Sequence, residues 1–157
     1  MNDFLFDIAN LKLDQLGYVF KDIRKQAKIM KSIYNMPQFG FIEGNLQEFY
    51  YRGKKSTASA TIGFSRMGNL QIELIQWHEG DCIYKEFLDE GREGLQHVSY
   101  FVKGLHDYVE DFNKKGIEVI QSGILLDRHY FYLDTEKTFG TIIELQETIS
   151  RRRKKKT

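Results

Sequence analysis

The chain has 157 residues, enough for one compact domain or two small, intimate modules. Its residues are 41% apolar and 14% aromatic, which excludes a disordered composition, and its apolar runs are far too short for a membrane-spanning helix. The formal charge of +1 is unevenly spread: residues 151–156 hold six of the 23 basic side chains, leaving 17 against 22 acidic ones elsewhere. A nucleic-acid binder carries its basic surface on the folded part, so residues 149–157 read as a solvated, disordered tail. The single cysteine, Cys82, can build neither an internal disulfide nor a cysteine-rich metal site. The opening Met1-Asn2-Asp3-Phe4 lacks the basic and apolar stretches of a signal peptide, and a cytoplasmic location is expected.

Residues 1–12 form a lead-in, after which a pattern begins that recurs later. Residues 15–23 lie over residues 97–105, with Tyr18 on Tyr100, Lys21 on Lys103 and Ile23 on Leu105. Each copy reads as a strand running into a helix. The first helix is predicted over 23–34: Asp22 is a natural N-cap, Ile23, Ala27, Met30 and Ile33 share a face, and Pro37 blocks continuation. Strands are then predicted over 47–51, 57–65 and 70–75, broken by Gly53 and by Met67-Gly68-Asn69. Residues 81–90 read as a short linking helix capped by Asp81, followed by a turn at Gly91 to Gly94. The second copy has a helix with Leu105, Tyr108, Val109 and Phe112 on one face, stopped by Gly116. Its strands are predicted over 116–121, 128–133 and 141–146. The expected fold is therefore α+β, a βαβββ module over 13–79 and another over 95–148, joined by a linker over 80–94.

Side chains alternate across a strand, so parity shows which residues share a face. Gln15, Gly17 and Val19 stand together, as do His97, Ser99 and Phe101; Glu73 and Glu144 each face away from their apolar neighbours. Each half thus offers one ligand-capable residue near its first strand and one carboxylate on its last. A buried histidine is commonly a hydrogen-bonded structural residue, and a strand glutamate commonly faces solvent. Repeat-related placement of all four argues for a shared purpose. If the halves pair about a pseudo-twofold axis, Gln15, Glu73, His97 and Glu144 converge. One imidazole, two carboxylates and an amide oxygen suit a divalent ion such as nickel, cobalt, zinc, manganese or ferrous iron. His78, His106 and His129 fall outside the repeat-related set. Phe49, Tyr51, Trp77, Phe101 and Tyr132 are candidates for a pocket wall and equally for the core.

Glu93-Gly94-Leu95-Gln96-His97-Val98-Ser99-Tyr100 resembles the segment of the vicinal oxygen chelate superfamily in which a Gly-Leu-x-His run carries a ligand histidine. Gly17-Tyr18-Val19-Phe20-Lys21-Asp22-Ile23 is similar to that superfamily's opening strand and helix start, and Thr141-Ile142-Ile143-Glu144-Leu145 to its closing strand. The resemblance spans roughly residues 13–147. It implies two βαβββ modules forming a curved mixed sheet, a homodimer, and metal ligands at Gln15, Glu73, His97 and Glu144. The set is similar to that of glyoxalase I; methylmalonyl-CoA epimerases have His where Gln15 stands, and residues 54–60 hold no carboxylate for their separate catalytic glutamate. The implied activity is that of a lyase or isomerase acting on a small carbonyl or thioester substrate through a metal-bound enediolate, with Glu144 or Glu73 as the base. The alternatives are an epimerase and a non-catalytic binding protein of the bleomycin resistance type. Neither a membrane nor a nucleic acid is expected as a partner.

Overall fold

The computed structural model describes residues 4–149 of the chain. The elements run in the order β1 (Gln15–Val19), α1 (Ile23–Tyr34), β2 (Gly40–Tyr51), β3 (Lys54–Met67), β4 (Leu70–Gly80), α2 (Ile83–Asp89), β5 (Gly94–Phe101), α3 (Leu105–Lys114), β6 (Val119–Leu125), β7 (Arg128–Leu133), α4 (Glu136–Phe139) and β8 (Ile142–Thr148). The fold is α+β, with two βαβββ units in one closed sheet ordered β1-β4-β3-β2-β6-β7-β8-β5. In each unit the first strand lies parallel to the last, β1 on β4 and β5 on β8. The basic tail over 150–157 lies outside the described residues.

The two units meet along β1 and β5, which run antiparallel with Gln15 opposite Ser99 and Gly17 opposite His97. A twofold that exchanges Gln15 with His97 and Gly17 with Ser99 requires this register. Opposite this seam, β2 and β6 pair only through Tyr50–Ser122 and Tyr51–Gln121. A bulge in β2 between Leu46 and Phe49 turns the strand away, so the barrel closes at one end of this seam and opens at the other.

The strands are longer than periodicity alone predicted. β2 begins at Gly40 and β3 runs for 14 residues, because each has partners on both sides or a long hairpin mate whose ladder bonds outweigh weak local propensity. β6 covers Val119–Leu125 rather than 116–121, since Gly116, at φ +81°, closes the α3 terminus and its neighbours turn before the strand begins.

Helix α1 has the predicted span, and the Asp22 side chain accepts from the Lys25 backbone N–H at 3.0 Å. Its end is set two residues before Pro37: Asn35 takes a left-handed conformation and its N–H donates to Lys31. The α1 face carrying Ile23, Ala27 and Met30 packs with Leu74 and Ile72. Complete burial of a side chain such as Ile23 contributes about 1.5–3 kcal/mol. Helix α2 corrects the expected cap. Cys82 rather than Asp81 occupies the N-cap and makes no side-chain bond; Gln121 of β6 instead accepts from the Ile83 N–H at 2.9 Å. The short α4 connects β7 to β8 and ends at Gly140. The lead-in packs on the second unit: Phe6 meets Tyr100 edge-on at 5.2 Å, and Leu11 and Leu13 join the same cluster.

Candidate metal centre

The parity seen in the sequence places Gln15, Glu73, His97 and Glu144 on the inner face of the barrel, from four different strands around the β1–β5 seam. All four are buried, and His97 has no exposed surface. His97 Nε2 lies 3.2 Å from Glu73 Oε2 and 3.4 Å from Glu144 Oε2. Although these atoms are close, neither Glu73 Oε2 nor His97 Nε2 has a hydrogen-bond partner of acceptable direction. Ligand atoms held about 2.1 Å from one divalent ion stand about 3.0–3.4 Å apart, the spacing found here. In donor type the two orphaned atoms and the second carboxylate suit a divalent ion, although among the described residues no group of three or more such ligands is already arranged around one.

The imidazole is fixed from behind. Its Nδ1 lies 2.7 Å from Gln96 Oε1, which can only accept, so Nδ1 carries hydrogen and Nε2 faces the centre, as an N–H when the ring is charged and as a lone pair when it is neutral. Tyr132 stands edge-on to the ring at 5.0 Å. On the other side lies Gly17: a Cβ there would sit 1.9 Å from His97 Cε1, so only glycine leaves room for the ring. Gln15 reaches the group through Gln146. Gln146 Nε2 shares its two hydrogens among three acceptors, Gln15 Oε1 at 3.2 Å, Ser99 Oγ at 3.0 Å and Glu144 Oε2 at 2.9 Å, while the Gln15 amide nitrogen donates to Gln71. Glu144 is thus anchored by a neighbour, whereas Glu73 keeps an oxygen free.

Burial and charge oppose each other here. Burial alone would push the His97 imidazole down, but the Glu144 and Glu73 carboxylates outweigh it and hold the ring at about 9. Burial raises the Glu73 carboxyl despite the relief given by His97, and the nearby Glu144 adds to the rise. Tyr84 and Tyr132 share a hydrogen bond of 2.9 Å between their hydroxyls, and burial raises both phenols well above their ordinary range. Tyr130 is buried as well, and its hydroxyl lies toward the Gln121 amide without a well-formed bond to it. These phenols are neutral donors at any physiological pH.

A cleft of about 320 Å³ leads to the group, lined among others by Gln15, Glu73, Glu144, Tyr130, Tyr132 and Phe101. A larger cavity of about 630 Å³ adjoins it at Leu46, Leu125 and Leu126, where β2 and β6 part. The larger space holds none of the converging ionisable groups, so the smaller one is where chemistry can occur. Phe101 and Tyr132 line the cleft, while Phe49, Tyr51 and Trp77 belong to the core. His78 bonds Thr61, and His106 stacks near His129, away from the centre. Sequence reasoning passed over Gly17, Gln96, Ser99, Tyr130 and Gln146. The signal for three of them was parity: Gly17 shares a face with Gln15, Ser99 with His97, and Gln146 with Glu144.

The family model described as the glyoxalase/bleomycin resistance protein/dioxygenase superfamily matches residues 14–132. The chain belongs to this superfamily. No curated protein matches it in sequence. Among solved structures, it is similar to a hypothetical protein from Bacillus halodurans C-125, with a TM-score of 0.66, 17% identity, and coverage of 92% of this chain and 99% of that one. It is similar to methylmalonyl-CoA epimerase from Mycobacterium tuberculosis, with a TM-score of 0.61, 16% identity, and coverage of 88% of both chains. A variant of 4-hydroxymandelate synthase from Streptomyces coelicolor gives a TM-score of 0.61 at 14% identity, covering 91% of this chain and 50% of that one. At such identities these likenesses establish a shared fold. Among the described residues, no helix is long and apolar enough to cross a membrane.

Proposed function

We propose that the protein is a metal-dependent, glyoxalase-like lyase or isomerase that moves a proton at the carbon beside a carbonyl in a small carbonyl or thioester substrate. The observation that carries this reading is the approach of His97 Nε2 to the Glu73 and Glu144 oxygens at 3.2 and 3.4 Å, with two of those atoms orphaned, at the wall of a cleft. Glu73, His97 and Glu144 would hold a divalent ion (nickel, cobalt, zinc, manganese or ferrous iron), and Gln15, linked to the group through Gln146, would join it only by the second lone pair of its amide oxygen. When bound, the ion supplies Lewis-acid stabilisation of negative charge on the substrate's oxygens.

The chain's own residues divide the remaining work. Glu73, with a carboxyl raised by burial, would take the proton from carbon and return it with the oxygen not engaged at the centre. Glu144, tied to Gln146, is suited to remain in place. Tyr130, buried at the cleft wall with its hydroxyl toward Gln121, shapes the pocket that would receive the substrate. Tyr84 and Tyr132 keep that wall dry and rigid. A homodimer in the cytoplasm is the expected working form, on the superfamily resemblance and the cysteine usage.

Elemental analysis of the purified protein beside His97→Ala and Glu144→Gln tests the centre. About one divalent ion per chain, much reduced in both variants, supports it. Hydrogen–deuterium exchange at the activated carbon of small carbonyl and thioester compounds, followed by NMR, then tests the chemistry. Exchange that requires Glu73 supports the proposal. Binding without exchange would mean a sequestering protein of the bleomycin resistance type, and epimerisation of a methylmalonyl thioester would mean an epimerase. Absence of any metal uptake would sink the reading.

A further inference from the structure

Five arginines lie among the described residues, and they divide by location. Arg24 donates to Glu43 at 2.8 Å, Arg52 to Glu86 at 2.7 and 2.9 Å, and Arg92 to Glu90 and Glu136 at 3.1 and 3.2 Å. Arg66 and Arg128 have no hydrogen-bonded carboxylate. Arg66 makes one long bond of 3.5 Å to the Asn69 carbonyl, and Arg128 Nε stands 3.8 Å from Asp127, beyond hydrogen-bond reach. These two are also the arginines that line the cleft leading to Glu73 and Glu144.

Their placement is built into the strands. Arg66 follows Ala58, Ala60, Ile62 and Phe64 at alternate positions of β3, and so closes that strand's inner face. Arg128 precedes Tyr130 and Tyr132 at alternate positions of β7. Because β3 ends and β7 begins at the same rim of the barrel, one guanidinium comes from each unit. Phe64 sits opposite Glu73 and Tyr132 opposite Glu144. Arg66 is therefore about 7 Å, and Arg128 about 13 Å, along its strand from the level of a central carboxylate. The Arg128 guanidinium lies 4.3 Å over the Phe101 ring, another residue of the cleft wall, which holds its plane at the mouth.

A guanidinium presents a planar fork of donors matched to carboxylate and phosphate oxygens, and unspent donors are what such a ligand needs. The two central carboxylates would cancel the charge of a divalent ion, so within this cleft the attraction for an anion comes from Arg66 and Arg128, which share the rim with Asp127. We infer that the cleft takes an anionic substrate, whose carbonyl end reaches the Glu73–His97–Glu144 centre while a carboxylate or phosphate on its tail is held between Arg66 and Arg128. This rests on the proposed function and adds the class of its substrate.

The test is calorimetric titration of the manganese-loaded full chain with three chelating probes. Acetohydroxamate has no charged tail, succinate monohydroxamate has a carboxylate tail, and phosphonoacetohydroxamate has a phosphonate tail. The readout is the affinity ratio of tailed to untailed probe within each protein, which cancels any loss of active fraction. In the parent chain the better tailed probe is expected to bind at least tenfold more tightly, and which tail wins separates a carboxylic acid from a phosphorylated substrate. The ratio should fall close to one in the Arg66→Gln, Arg128→Gln double variant and persist in Arg24→Gln, whose arginine is engaged elsewhere. A ratio near one in the parent, or one that survives the double variant, overturns the inference. Failure of acetohydroxamate itself to bind the loaded protein overturns the functional reading, and this inference with it.

Discussion

Gly17 is the residue on which the His97 position turns. Its φ is ordinary, so the need for glycine is one of space: the imidazole occupies the volume of the missing side chain, 1.9 Å from where a Cβ would lie. The ring cannot retreat, because Gln96 and Tyr132 hold its far side. Gly17→Ala is expected to destabilise the fold by about 1–3 kcal/mol, as overpacking of a full core does, and to lower metal uptake together with stability. Urea unfolding and elemental analysis of the same preparation check this. An alanine variant with full stability and full metal content would show that the ring has an alternative seat. The same geometry explains why Gln15, though on the correct face, joins the centre through Gln146: its amide nitrogen is engaged by Gln71 and its oxygen by the Gln146 donor.

At the scale of elements, the two units repeat a device that the strand–helix pattern alone does not reveal. Gln76 of β4 accepts from the Ile23 N–H that opens α1, and Glu147 of β8 accepts from the Gly104 and Leu105 N–H groups that open α3. Gln76 and Glu147 each stand three residues past the central glutamate of their strand, Glu73 and Glu144. One strand in each unit thus carries an inward-facing acid and, on its other side, the cap for its helix. The bonds to Gly104 and Leu105 hold the Glu147 carboxyl below its ordinary value, so its cap is fully present at neutral pH and lost as acid protonates it. Gln76→Ala and Glu147→Ala should each cost about 1 kcal/mol, as loss of an N-cap does. Amide exchange is expected to accelerate at the start of α1 in the first variant and α3 in the second. Equal exchange throughout both variants would mean that sheet packing, not these caps, holds the helices.

The whole molecule is a barrel with an acidic, partly orphaned centre, and its stability without metal should depend on pH. The His97 imidazole binds its proton more tightly in the folded chain, at about 9, than at its ordinary value of 6.5. The stabilisation from the His97–carboxylate group is therefore complete below about pH 6.5 and is lost as pH rises toward 9. Glu73, also raised by burial, acts with the same sign. Metal-free protein is expected to unfold at lower urea concentration at pH 9 than at pH 6. A divalent ion requires the neutral imidazole, so its affinity should rise over the same interval, with proton release on binding. Urea titrations with and without manganese at the two pH values check both signs. A metal-free stability that is flat across this range would show that His97 binds its proton no more tightly in the folded chain than in the unfolded one.

The residue pattern by itself determined much of this architecture: the repeat, the span of α1, the extent of β7, and the inward parity of Gln15, Glu73, His97 and Glu144. These features are local, because alternation along a strand and periodicity along a helix depend on neighbouring dihedral angles. Closure into a barrel, the open β2–β6 seam, the seat of His97 on Gly17, and the arrival of Gln146, Tyr130, Arg66 and Arg128 around one cleft were decided by tertiary structure. Each depends on the register between strands far apart in the chain, and register follows from the packing of both units together. Parity names the face a side chain occupies; only the assembled sheet fixes which atoms it meets there.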